Sequence, residues 1–248
     1  MSQLKVIIYG SKGRMGKSLL QCVEGNPALK LAGSIDSGDS LDSIASCDAV
    51  IDFTHADSTL PVLEKCLELG KIIVIGTTGH SNDIRNRITE AAKRIPVIFS
   101  PNYSVGVNTL FWLTKKAAEI LGPDYDAEVI EVHHRLKKDA PSGTARRLVE
   151  ILDEVHGLDY EKDTNHGRFG MPGERTTKEI GVHAVRGGDV VGDHTVLLAA
   201  PGDRLELIHR ASSRETFARG ALRAALWARD IKKNQPGLYD MQDVLGLH

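Results

Sequence analysis

The sequence predicts an α/β protein, with a parallel sheet in the first half and a mixed or antiparallel sheet in the second. Three observations predict it. Short apolar segments rich in β-branched residues alternate with segments of helical period up to about residue 104. The turn Gly10-Ser11-Lys12-Gly13-Arg14-Met15-Gly16 spaces its glycines three apart, between the first strand and the first helix. Past residue 104 the rhythm changes, and three strands near the end are separated by turn sequences alone.

Residues 4–9, Leu-Lys-Val-Ile-Ile-Tyr, are short and mostly apolar, as a strand buried on both faces must be. Met15, Leu19, Leu20 and Val23 recur at helical spacing, and Asn26-Pro27 ends that helix. A second strand covers residues 29–35, with Asp36 at its end. Strands at 49–53, 72–75 and 97–99 interleave with helices at 58–69 and 81–94. Strands separated by helices of this length require crossover connections and hence a parallel sheet.

In the second half, residues 107–121 form one long amphipathic helix. A strand at 126–132 runs into a polar, His-rich loop, and a helix follows at 143–156. Residues 157–177 are polar and Gly-rich without a period, and read as a long loop serving as a lid or an oligomer contact. Strands at 180–185, 190–198 and 205–210 are joined by Arg-Gly-Gly-Asp and Pro-Gly-Asp turns and read as a meander. The final helix, 217–232, lies beyond this sheet and is expected to pack back on the first domain.

Bulk properties exclude several classes. The 248 residues carry a net charge of -2, with 41% hydrophobic and 26% charged residues. That is ordinary globular composition, with no basic surface for nucleic acid and no polyanionic tail. No apolar run reaches the ~18 residues of a membrane span. The N-terminal residues lead into the glycine turn rather than a cleavage site, so no signal peptide is expected. Cys22, Cys47 and Cys66 are odd in number and lack paired spacing, which argues against disulfides and zinc and for a reducing, cytoplasmic setting.

The glycine turn is informative because it follows a strand and opens a helix. Gly10 permits the tight turn, Gly13 lets backbone approach a pyrophosphate, and Gly16 lets the helix pack on the strand. Ser11, Lys12, Arg14 and Met15 share that loop and are candidate cofactor contacts. Asp36, 20 residues beyond Gly16, can accept from both hydroxyls of an adenosine ribose and would repel a 2′-phosphate. Ser37 adds no compensating positive charge, although Lys12 or Arg14 could. The expected cofactor is NADH or NADPH, with NADH favoured. Gly76-Thr77-Thr78-Gly79 and Ser100-Pro101-Asn102-Tyr103 each follow a strand, at the sheet edge where ligands bind in such folds. Either also reads as an ordinary turn. Asn102 is the candidate for holding the carboxamide.

The segment from Glu131 through His133, His134 and Lys137 to Ser142, Gly143, Thr144 and Ala145 gathers titratable groups after a strand. Two histidines and a lysine can supply protons near neutral pH. The helix start at Gly143 and Thr144 can bind a carboxylate. A small anionic substrate that is reduced and protonated suits this set. A polar surface loop with a capped helix is the other reading of the same residues. Adjacent strand residues point to opposite faces, so no metal is expected on the two histidines.

At this point the segment resembles the signature of the dihydrodipicolinate reductase family, of the diaminopimelate route to lysine. Gly10 to Gly16, Gly76 to Gly79, residues 102–108, 186–194, 211–217 and 238–245 are similar to family motifs as well. The resemblance implies a Rossmann-like domain over residues 1–104 completed by 215–248, and an α+β substrate and oligomerisation domain with a mixed sheet over 105–214. It implies NAD(P)H-dependent reduction of 4-hydroxy-tetrahydrodipicolinate, a small dicarboxylate, by a homotetramer. Because the cofactor and substrate motifs lie on different halves, closure about hinges near 104 and 214 is expected. His133 would be the proton donor or acceptor and Lys137 the second proton donor. His134, Gly143 and Thr144 would bind substrate. The position after the acidic residue is often arginine in that family, so Ser37 again points to NADH. Two competing functions share the glycine turn: another nicotinamide-dependent reductase of an amino-acid intermediate, and a non-catalytic redox sensor.

Overall fold

The computed structural model describes residues 2–247. Packing divides the chain into two units. The first runs to Val105 and takes up the chain again from Arg214; the second is Gly106–Ser213.

The first unit is a six-stranded parallel sheet of Leu4–Tyr9 (β1), Leu29–Ile35 (β2), Ala49–Asp52 (β3), Ile72–Ile75 (β4), Pro96–Phe99 (β5) and Gly237–Tyr239 (β11), in the order β11-β5-β4-β3-β1-β2. Side chains of β1 alternate between two apolar layers. Leu4, Val6 and Ile8 meet Leu19 and Val23 of Arg14–Glu24 (α1) and the alanines of Glu215–Asp230 (α7). Ile7 and Tyr9 meet Val62, Leu63 and Cys66 of Ala56–Leu69 (α2) and Ile88 of Asn82–Ala92 (α3). The last long helix thus packs on the first unit, as its position in the chain suggested. The sequence reading missed β11, whose three residues are too few to show a period, and Met241–Leu245 (α8), which starts at an Asp240–Asp243 capping box.

The second unit holds a mixed sheet of Asp126–His133 (β6), Thr164–Asn165 (β7), Ile180–Arg186 (β8), Gly192–Ala200 (β9) and Asp203–Ala211 (β10), in the order β10-β9-β6-β8-β7. Val105–Leu121 (α4) and Gly143–His156 (α5) contribute Leu110, Phe111, Leu148 and Leu152 to the layer that covers one face. Two expectations are corrected. Residues 157–177 are not all loop: Asp159 caps a short helix, Tyr160–Asp163 (α6), which leads into β7. Nor do the last three strands form a meander. β6 lies between β8 and β9, parallel to the first and antiparallel to the second. The Gly187–Val191 connection therefore passes over the end of β6, where Gly187 N–H donates to His133 O and His134 N–H to Val190 O.

Candidate active site

In the first unit the glycine turn is built as its spacing required. Gly10 has φ +88°, and a Cβ on Gly16 would lie 2.2 Å from Gly10 O, so α1 could not approach β1 with any larger residue there. Gly13 caps α1 with no side chain over the first turn, which leaves backbone N–H groups for an anion. Lys12, Gly13 and Arg14 are exposed and Met15 half-buried. Asp36 accepts from Ser11 Oγ at 2.7 Å and Lys12 N–H at 3.2 Å, with Lys12 Nζ 3.7 Å away. Burial works to raise its pKa, but these bonds and the lysine charge outweigh that and hold it below the usual range.

The sheet-edge motifs are less uniform. Thr78 and Pro101 are exposed and Asn102 half-buried. Asn102 Oδ1 accepts from Ser104 N–H at 2.8 Å, and Ser100 Oγ donates to Asn102 O at 3.0 Å. Gly76 is required by the Phe53 ring, which a Cβ would overlap at 2.2 Å. Thr77 is buried and donates to Asp52 at 3.0 Å. Tyr103 was expected to touch cofactor, and its side chain does not reach the surface. It is 1% exposed, lies in the core, and its hydroxyl sits 2.9 Å from both Ile75 O and Ile98 O. An aromatic body with one polar tip is used here to brace β4 against β5.

Asp52 is a group that sequence reasoning missed. It is fully buried at the end of β3, and accepts from Thr54 Oγ1 (2.5 Å), Thr59 Oγ1 (2.7 Å), Thr77 Oγ1 (3.0 Å) and Thr54 N–H (3.1 Å). Burial raises its pKa against these hydrogen bonds. It ties the Gly76–Gly79 turn to α2.

In the second unit the signature segment wraps a buried charge cluster. On β6 the residues Ala127, Val129, Glu131 and His133 share the face that turns away from solvent. Glu131 binds His133 Nδ1 through Oε2 and receives both Arg186 Nη atoms at 2.8 Å and Ser142 N–H at 3.1 Å. Burial would raise Glu131, but the bonds from His133 and Arg186 bring it down to about 2. His194, opposite Glu131 on β9, packs edge-on against His133 with ring centroids 5.2 Å apart. Burial, then the His133 charge, push His194 down to about 3, so it stays neutral at pH 7. Its Nε2 lies 3.1 Å from Ser142 Oγ, which also accepts from Ala145 N–H to cap α5.

The other predicted residues surround this cluster. His134 is half-buried with Nδ1 unpaired. Lys137 is ion-paired to Asp139 at 2.9 Å. Gly143 and Thr144 form the first turn of α5, with Gly143 exposed and Thr144 half-buried. Roles for Glu131, Arg186 and His194 were missed, although Glu131 and His133 stand two apart on one strand, a spacing that places them on one face. Among the described residues no group of three or more His, Cys, Asp or Glu could hold a metal ion.

A Rossmann-like parallel sheet with this glycine turn, and a second unit with two histidines and a lysine beside a helix start, fit one class: a nicotinamide-dependent reductase of a small anionic substrate. The family follows from comparison. A model described as dihydrodipicolinate reductase, N-terminus, matches residues 4–103, and one described as dihydrodipicolinate reductase, C-terminus, matches residues 106–245. A 4-hydroxy-tetrahydrodipicolinate reductase of Akkermansia muciniphila is 52% identical over 98% of this chain and 98% of its own. One of Hahella chejuensis is 47% identical over 98% of this chain and 99% of its own. A dipicolinate-bound dihydrodipicolinate reductase from Paenisporosarcina sp. TG-14 shares the fold, with TM-score 0.79, 23% identity, and coverage of 97% of this chain and 98% of that one. The chain belongs to the dihydrodipicolinate reductase family. Its activity is the NAD(P)H-dependent reduction of 4-hydroxy-tetrahydrodipicolinate on the diaminopimelate route to lysine. These relatives lend no support to the redox-sensor reading or to a different reductase.

Proposed function

We propose that His133 exchanges the proton at the substrate, that Lys137 is the second proton donor, and that His134, Gly143 and Thr144 bind the substrate. The observation that carries this is His133 itself. It is 8% exposed, anchored through Nδ1 to a buried carboxylate, at the end of a strand beside the start of α5. A ring held on one nitrogen presents the other in a fixed direction. Loss of the substrate's 4-hydroxyl as water leaves a conjugated imine; adding hydride to it builds electron density that a proton must quench, and a positioned acid contributes roughly 10²–10⁴-fold. The helix start offers N–H groups and a dipole to a carboxylate, and the Paenisporosarcina relative is described with dipicolinate, a dicarboxylate.

The first unit is the dinucleotide-binding domain in this reading, and the second is the substrate and oligomerisation domain. Gly10, Ser11, Lys12, Gly13, Arg14, Met15, Asp36, Gly76, Thr77, Thr78, Ser100, Pro101 and Asn102 would hold the cofactor. The open first turn of α1 fits a pyrophosphate, and Asp36 beside Ser37 favours NADH over NADPH. When bound, the nicotinamide supplies the hydride.

A homotetramer would use the uncovered face of the second sheet. Ile130 and Leu197 are half-buried there, and Val185 and Ile208 exposed. On the 157–177 segment Phe169 and Met171 are 97% and 100% exposed, which suits a contact with another copy. In this reading the compartment is the cytoplasm, which suits three free, buried cysteines.

His133→Ala tests the proton role. Turnover with freshly made substrate should fall by about 10²–10⁴-fold with NADH affinity retained. Full turnover in that variant would refute the assignment.

A further inference from the structure

Glu131 occupies a position where the alternation of β6 calls for an apolar side chain. Ala127 and Val129 precede it on the same face and pack in the core under α5, and Glu131 is 0% exposed. A lone carboxylate there would carry a heavy desolvation cost. Instead its two oxygens receive donors from Arg186, Ser142 and His133. Arginine does not give up its proton in proteins, so Glu131 is locked as an anion and can only accept. The hydrogen between Glu131 and His133 therefore sits on Nδ1, an assignment that rests on the bonding network.

A neutral imidazole carries one proton, so Nε2 is the bare nitrogen. Two further features fix its direction. The His194 ring, held by Ser142, stands edge-on against His133. A Cβ on Gly192 would lie 2.9 Å from Nε2, so only glycine leaves that nitrogen uncovered while the ring stays on Glu131. β6 supplies the ring and its acceptor, β8 supplies Arg186, and β9 supplies His194 and Gly192. The insertion of β6 between the other two strands is what assembles them.

We propose that Glu131 is a positioning residue, held by Arg186, which keeps one His133 proton on Nδ1, so that Nε2, in the space kept open by Gly192, takes up a second proton from solvent and delivers it to substrate. This rests on the reading of His133 as the proton-exchanging group.

The test has one arm that needs no variant. In ¹⁵N-histidine-labelled wild-type enzyme at about pH 9, where an ordinary imidazole is neutral, His133 should show a protonated Nδ1 and a bare Nε2. A proton on Nε2 would overturn the proposal. In the second arm, Glu131→Gln should lower kcat by between roughly 10- and 10⁴-fold, the span for partners that orient a histidine, with the KM for NADH unchanged. Gly192→Ala should lower kcat while the Nδ1–H signature persists. If His133→Ala abolishes turnover and Glu131→Gln and Gly192→Ala do not lower it, this proposal fails alone. If His133→Ala is fully active, the underlying reading fails. Should Glu131→Gln not fold, the wild-type tautomer and Gly192→Ala still decide.

Discussion

Ser11 Oγ donates a 2.7 Å hydrogen bond to Asp36, tying the end of β2 to the loop that opens α1. In the proposed reading the same carboxylate binds the adenosine ribose. A hydrogen bond to a charged acceptor is worth about 1.5–3 kcal/mol, and each 1.4 kcal/mol is about tenfold. Asp36→Ala should therefore lower kcat/KM for NADH by roughly 10–100-fold, and Ser37→Arg should raise kcat/KM for NADPH. Steady-state kinetics with both cofactors checks both outcomes.

Lys137 meets Asp139 at 2.9 Å, and Asp139 O also accepts from Arg186 at 2.8 Å. The lysine is thus held near the Glu131 cluster by an acid that is itself largely exposed. Lys137→Ala should reduce turnover by about 10²–10⁴-fold and leave NADH affinity unchanged in a fluorescence titration. Unchanged turnover would remove its assigned role.

Asp52 gathers three threonine hydroxyls. Asp52→Ala leaves buried donors unpaired, at about 1–3 kcal/mol each. Denaturant unfolding should show a loss of several kcal/mol by that same reckoning. NADH binding should weaken as well, because Thr77 loses the partner that fixes its turn.

Asp153 gives a pH signature. It is buried on α5 with neither carboxylate oxygen hydrogen-bonded, and it is pushed up to about 6 by burial and then by Asp163, Asp159, Glu150 and Glu154. A carboxyl whose folded pKa is raised binds its proton more tightly when folded. Its contribution is present below the unfolded value of about 3.9 and is lost as pH rises through about 6. Asp153→Asn should flatten this part of the stability curve and raise the unfolding midpoint at pH 7. Thermal melts across that range measure it.

The first sheet was legible because its signals are local. The β1 run, the glycine turn and the α1 period lie within 21 consecutive residues, Leu4 to Glu24. Adjacency of strands is not local. The β8 and β9 runs follow each other in the chain, and only tertiary packing shows that β6 separates them. The same fact hid Arg186 and His194, whose partners lie on β6 and in the segment that follows it. As candidates, His133 and Lys137 stand out by residue type and spacing. The support beneath His133 was not, because a glutamate beside a His-rich loop looks like another surface charge until the strand face is known. The inward turn of the Tyr103 ring was hidden for a different reason: a sheet-edge position suggests a ligand contact, and nothing local shows that the side chain enters the core.

The most direct measurement is NADH oxidation by the purified protein, with 4-hydroxy-tetrahydrodipicolinate generated in the same cuvette. Oxidation should depend on that substrate, yield tetrahydrodipicolinate, run faster with NADH than with NADPH, and collapse in His133→Ala. Tight NADH binding with no substrate-dependent oxidation would contradict the reductase assignment.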